Sequence, residues 1–242
     1  MNIADEISMY RMHCLTGLGR TMLPTGFWGE RSDTIGSATH LGGKNLFLTF
    51  DDGPNPHTTT QLLEVLGEEN VQATFFVIGS EVEKYPDLVA KIANGGHTLG
   101  NHSFNHNFLP GLPTKIIENE IHRTNSLIED ISGIRTKFFR PPYGIIDHRG
   151  AFFLKEAAMT IVYWGCVPED WRQVGSSAVT KRVLRKLEAG TLIVLHEGFE
   201  IADQTIESTR AIIHSAKAQG YTFKTLAEAG SPMFNQILPE SF

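Results

Sequence analysis

The chain has 242 residues, of which 41% are hydrophobic and 20% charged, with a formal net charge of −6 and a pI near 5.9. That is material for one larger domain or at most two small ones, and it excludes global disorder. The acidic balance, without any Lys/Arg block, excludes a nucleic-acid footprint and an anionic membrane surface as partners.

Residues 1–44 show no clear period and read as an irregular lead-in packed on the domain. The opening "MNIADEISMYRMHCL" has no continuous apolar core, and no stretch approaches membrane-spanning length. With no signal peptide seen, the chain reads as cytoplasmic as written, and its location is left open. Cys14 and Cys166 read as two unpaired thiols.

From Asn45 a rhythm begins. "NLFLTF" predicts a strand. "TTTQLLEVLGEEN" predicts a helix with Thr58 or Thr59 as its cap and Leu62, Val65 and Leu66 on one face. "ATFFVIG" predicts a strand, and a helix follows from about Tyr85, with Pro86 in its first turn and Gly95-Gly96 at its end. "HTLGNH" is a shorter strand. An amphipathic helix covers residues 113–131, with Ile116, Ile117, Ile121, Leu127 and Ile128 facing in. "TKFFR" is a strand, "DHRGAFFLKEAA" a helix capped by Asp147, and "MTIVYWG" a strand. A helix over 178–188, the strand "TLIVLH", a helix over 205–219 and "YTFKTL" close the series.

Strand and helix alternate about six times, which implies parallel strands with covering helices. Seven strands in an α/β chain fit an incomplete (β/α) barrel. The rival is an open doubly wound sheet, whose dinucleotide version lacks its G-x-G-x-x-G fingerprint here.

In a parallel barrel the C-terminal strand ends share one face, which carries the chemistry. Asp51-Asp52 follow the first strand, His102 and His106 the third, Arg140 and Tyr143 the fourth, Asp170 and Trp171 the fifth, and His196-Glu197 the sixth. Each has an ordinary explanation alone: a turn, a surface arginine, a satisfied histidine, a core tryptophan. Their convergence is harder to explain that way.

An aspartate with two histidines four residues apart suits a divalent cation such as Zn²⁺, leaving positions for water and substrate. Consecutive strand residues point to opposite faces, so the two aspartates can divide the work. One binds the cation and the other acts as base; spacing leaves open which is which. Arg140 can orient the base, and His196 can donate a proton to a leaving group. Asp170 can hold that histidine and raise its pKa. Backbone N–H groups of the Tyr143 turn can add oxyanion donors. The set describes metal-assisted hydrolysis of an amide or an ester.

"TFDDGP", "HSFNH", "RPPYG", "EDW" and "VLHEG", in this order, resemble the polysaccharide deacetylases, carbohydrate esterase family 4, whose shared unit is the NodB homology domain. The resemblance runs from Asn45 to Leu226. It implies a distorted incomplete barrel and a catalytic domain over 45–230, followed by a tail at 231–242. It also implies one divalent metal ion, with zinc expected, and removal of acetyl groups from N-acetylglucosamine units of peptidoglycan, chitin or chitooligosaccharide. By motif position Asp51 is the base, and Asp52, His102 and His106 are the metal ligands. Arg140 orients the base, and Asp170 and His196 supply the general acid. Tyr143 gives an oxyanion N–H, and Trp171 and Val194 line the acetyl-methyl pocket.

Three positions depart from the family pattern. Val167 stands where the fourth motif usually has Asp, Glu197 where the fifth has Asp, and Val194 where leucine is common. They bear on the substrate more than on the reaction. The alternatives are a deacetylase or amidohydrolase of the same fold acting on an O-acetyl ester or a non-sugar amide, and a non-catalytic carbohydrate-binding barrel. Family members acting on cell walls are often exported, which stands against the missing export signal.

Overall fold

A computed structural model describes residues 43–198 and 202–229. The lead-in up to residue 42, Cys14 and the tail at 231–242 lie outside the described residues. Cys166 is buried and has no disulfide partner among the described residues.

Seven parallel strands form one sheet: β1 (Asn45–Gly53), β2 (Thr74–Val77), β3 (Thr98–Asn101), β4 (Phe138–Phe139), β5 (Thr160–Ile161), β6 (Leu192–His196) and β7 (Thr222–Phe223). The order is β5-β4-β3-β2-β1-β6, and β7 pairs with the first residues of β1. The helices are α1 (Thr58–Glu68), α2 (Gly79–Lys84), α3 (Pro86–Asn94), α4 (Thr114–Ser132), α5 (His148–Glu156), α6 (Ser176–Leu184), α7 (Ala202–Ala218) and α8 (Leu226–Ala229).

The alternation of β1 divides the core into two layers. Leu46, Leu48 and Phe50 pack outward with Leu62 and Leu66 of α1, Val89 and Ile92 of α3, and Ile212 and Ile213 of α7. Phe47 packs inward with Phe76, Phe138, Val162, Leu192 and Val194. Both faces of the sheet are therefore apolar, as parallel strands covered by helices require.

The sheet curls toward closure. After β5 the chain reaches the far edge of β6, where Cys166 N–H donates to Leu192 O at 2.7 Å and Val194 N–H to Cys166 O at 3.0 Å. Gly165 makes that approach feasible, since a Cβ there would lie 2.4 Å from Leu192 O. The result is the expected incomplete (β/α) barrel; the open doubly wound alternative is not adopted.

Several local expectations need correction. Neither Thr58 nor Thr59 caps α1; Asn55 Oδ1 accepts the N–H groups of His57 and Thr58 at 3.0 and 3.2 Å. Ile116 is exposed, while Glu120 and Thr124 take places on the buried face of α4. Helix α2 was not foreseen, α6 starts and ends earlier than expected, and β5 is shorter. Asp147 does cap α5, accepting from Arg149 and Gly150 N–H at 3.1 Å each.

Candidate metal and catalytic site

The site is built on the end of β1. The inward alternation Phe47, Thr49, Asp51 places the Asp51 carboxylate inside the barrel, fully buried. Arg140, at the end of β4, meets it there. Its Nη1 donates to Asp51 Oδ1 at 2.5 Å and to Thr49 Oγ1 at 2.8 Å, and its Nε to Val162 O at 3.4 Å. The guanidinium also lies 4.1 Å from the Phe76 ring centroid. Full burial pushes Arg140 below its ordinary pKa, and Asp51 opposes that shift.

Asp52 would continue the outward face if the strand were regular. Instead the register with β2 slips between Asp51 and Gly53, and Asp52 has a left-handed φ of 73°. This bulge turns its carboxylate to two imidazoles. Asp52 Oδ1 lies 3.3 Å from His102 Nε2 and 3.2 Å from His106 Nε2, and it is buried with no hydrogen-bond partner among the described residues. The three donor atoms lie within 4.8 Å of one another. Burial works to raise the Asp52 carboxyl, but the imidazoles of His106, His102 and His196 hold it well below the usual carboxylate range. Burial pushes His106 below its ordinary value against the pull of Asp52, which favours the neutral form that a cation ligand must take.

His102 Nδ1 lies 2.6 Å from Arg140 O. A carbonyl oxygen only accepts, so Nδ1 carries a proton, and in the neutral ring Nε2 is the atom that offers its lone pair toward Asp52 and His106. A convergent oxygen and two imidazole nitrogens, one with its tautomer fixed, fit a divalent cation such as zinc.

On the other side of β1, β6 runs in register, with Asp51 and His196 as direct partners. His196 Nδ1 lies 2.9 Å from Asp170 Oδ1, and its backbone N–H donates to Asp170 Oδ2 at 2.7 Å. Thr205 Oγ1 adds a bond to the same carboxylate at 3.1 Å, and Gln204 Nε2 donates to Asp170 O. Burial opposes a charge on His196, yet Asp170, joined by Asp52 and Asp51, raises its pKa to about 9. Trp171 packs edge-on against His196 at 4.8 Å.

Tyr143 sits in a 3-10 turn at Pro142–Gly144 with φ of 61°, its ring 4.8 Å from that of His106. Val194 is fully buried in the inner cluster. Ten expected residues thus fall around one strand end: seven charged or imidazole groups, Tyr143 and Trp171 beside the imidazoles, and Val194 beneath the surface.

The polysaccharide deacetylase family model matches residues 39–162. A chitooligosaccharide deacetylase of Rhizobium leguminosarum bv. trifolii is 34% identical over 197 residues, 76% of this chain and 91% of the relative. The chain belongs to the polysaccharide deacetylase family. Peptidoglycan-N-acetylmuramic acid deacetylase PdaC of Bacillus subtilis is 36% identical over 185 residues, 76% of this chain but 38% of that longer protein. Among solved structures, the Bc1960 peptidoglycan N-acetylglucosamine deacetylase superposes with a TM-score of 0.76 at 33% identity, covering 78% of this chain and 88% of that one. With these deacetylase relatives, the chain is an enzyme, a deacetylase that hydrolyses an amide carbon–nitrogen bond. The deacetylase family is metal-dependent, and Asp52, His102 and His106 are the candidate site.

Sequence reasoning missed several residues that hold this candidate site together. Thr49 was recoverable, because it precedes Asp51 by two and so shares its face. Thr59 Oγ1 donates to Glu197 Oε2 at 2.5 Å, and Glu197 N–H to Asp51 O at 2.9 Å, so α1, β6 and β1 are tied beneath the site. Thr205 and Gln204 carry no local signal; only the approach of α7 brings them to Asp170.

Proposed function

We propose that this deacetylase removes acetyl groups from N-acetylglucosamine units of an oligo- or polysaccharide such as chitooligosaccharide or peptidoglycan, with zinc held by Asp52, His102 and His106. Bound there, the cation would polarise the acetamide carbonyl and acidify the attacking water. Asp51 takes the proton from that water. Its Oδ2 is buried without a hydrogen-bond partner among the described residues while Oδ1 is held by Arg140, so one oxygen is oriented and the other is available. Arg140 thereby fixes the base.

His196 gives a proton to the departing amine from the opposite side. Asp170 engages its Nδ1 and so orients the ring and holds its charge. Backbone N–H in the Tyr143 turn donates to the oxyanion as charge develops. Trp171 and Val194 bound the acetyl methyl with apolar surface. The names of the relatives support a sugar amide as substrate.

The observation that carries this reading is the register of β1 with β6. It sets base-side Asp51 directly beside acid-side His196, with Asp52 and its imidazoles one residue on. The test is acetate release by the zinc-reconstituted protein from chitin oligomers, peptidoglycan fragments and acetylxylan. Release from the sugar amides is expected, and Asp51→Asn should lose about 100-fold or more while retaining zinc. Near-normal turnover by Asp51→Asn would reassign the base. Release from acetylxylan alone would move the substrate to an O-acetyl ester.

A further inference from the structure

His102 is held by the sheet: it follows directly on β3, and its backbone N–H donates to Val77 O at 2.9 Å. His106 lies four residues further along, on a loop outside any strand. The loop is bent at both ends, since Ser103 and His106 have left-handed φ values of 63° and 55°. Non-glycine residues adopt that conformation only at a cost, so the surroundings must impose it.

On one side the N-terminus of α2 receives the loop, with Gly79 and Ser80 N–H donating to Ser103 O and Phe104 O at 2.9 Å each. On the other side a single carboxyl group collects the donors. Glu120 Oε2 accepts Phe104 N–H at 2.9 Å and Asn105 N–H at 2.8 Å, while Oε1 accepts Asn105 Nδ2 at 2.6 Å and Asn107 Nδ2 at 3.3 Å. Glu120 is 3% exposed, so water is not at hand to replace these bonds. One turn along α4, Arg123 lays its guanidinium 3.6 Å from the Phe104 ring centroid. Helix α4 therefore grips the loop at successive residues, and His106 is carried by it.

We propose that Glu120 is a positioning residue of the cation site. It holds the 104–107 loop in the shape that brings His106 Nε2 to the point it shares with Asp52 and His102, and so sets how tightly the divalent cation binds. The inference rests on reading that triad as a cation site. Glu120 acts through the loop backbone and the two asparagines, and its bonds are to neither imidazole.

The experiment is zinc affinity by chelator competition on the full chain. It is read beside melting temperature without zinc and the visible spectrum of the Co²⁺-substituted protein. Glu120→Gln exchanges an acceptor oxygen for a donor and should weaken zinc about tenfold; Glu120→Ala should weaken it about 100-fold. Both should alter the Co²⁺ spectrum, and activity at saturating zinc should largely return. Ile121→Val, a buried neighbour on the same helix, should lower the melting temperature and leave zinc affinity alone. Should Glu120→Ala fail to fold, Glu120→Gln and Asn105→Ala decide the matter. Zinc affinity within twofold of the parent in folded Glu120→Gln and Asn105→Ala overturns the proposal. Asp52→Ala separates the two levels. If it loses zinc while the Glu120 variants keep it, only the positioning role falls; if it binds zinc like the parent, the triad reading falls too.

Discussion

At the scale of single residues, His196 carries the clearest pH signature. Its pKa is held at about 9 because Asp170, with help from Asp52 and Asp51, outweighs the burial that opposes a charge. A general acid must hold its proton, so kcat should fall as pH rises through that value and the imidazolium is lost. The same shift affects folding. A histidine whose folded pKa exceeds its unfolded value contributes stability that is complete below about 6.5 and lost as pH rises through about 9. Asp170→Asn removes the main charge that raises it and leaves only the smaller pull of Asp52 and Asp51 against burial. The alkaline limb of the kcat profile should then move at least one unit toward acid, and the optimum rate should drop about 100-fold. Profiles of parent and variant, measured at saturating metal, check this. A limb that stays in place while the rate drops would take the proton-donor role away from His196.

At the scale of elements, the end of β1 makes the site, and it does so by breaking its own period. Alternation delivers Asp51 to the barrel interior, but it would send Asp52 outward; the bulge and left-handed φ re-aim it at the histidines. Gly53 completes the turn because Glu197 fills the adjacent space. A Cβ on Gly53 would sit 1.6 Å from Glu197 Oε1, with the carboxyl held in place by Thr59. Burial, then Asp52 and Asp51, raise the Glu197 pKa to about 8 against the Thr59 hydrogen bond, which favours the neutral form beside the two aspartates. Gly53→Ala should cost about 1–3 kcal/mol in urea unfolding. Glu197→Ala in the same chain should return most of that loss, and two penalties that simply add would show that the clash lies elsewhere. These contacts also explain what could be read in advance. The strand ends and their polar cargo were legible because hydrophobic period and turn residues are local. The bulge at Asp52 was not, since one φ value is decided by β2 and β6 on either side. Thr59 reads as a helix cap only while Glu197, 138 residues away, is unknown. Glu120 looks like a solvated helix glutamate, although its place three residues after Ile117 and beside Ile121 put it on the buried face.

At the scale of the whole molecule, the Asp51–Arg140 pair joins the candidate catalytic site to the barrel's stability. It links segments 89 residues apart, across the sheet from β1 to β4, and both side chains are fully buried. Desolvating two charges is expensive, and their attraction offsets that cost only while both remain. Arg140→Met should therefore leave a buried, uncompensated carboxylate and destabilise the fold by about 3–5 kcal/mol. Asp51→Leu added to Arg140→Met removes the second charge and restores apolar packing against Phe76 and Val162. Stability should return close to the parent's, or exceed it, while deacetylation stays abolished. Such an outcome means the barrel keeps this pair for chemistry and tolerates it as structure. Urea unfolding of the parent, the single and the double variant measures the coupling directly. A double variant no more stable than Arg140→Met alone would mean that the arginine stabilises the barrel through Thr49, Val162 and the Phe76 ring, independently of Asp51.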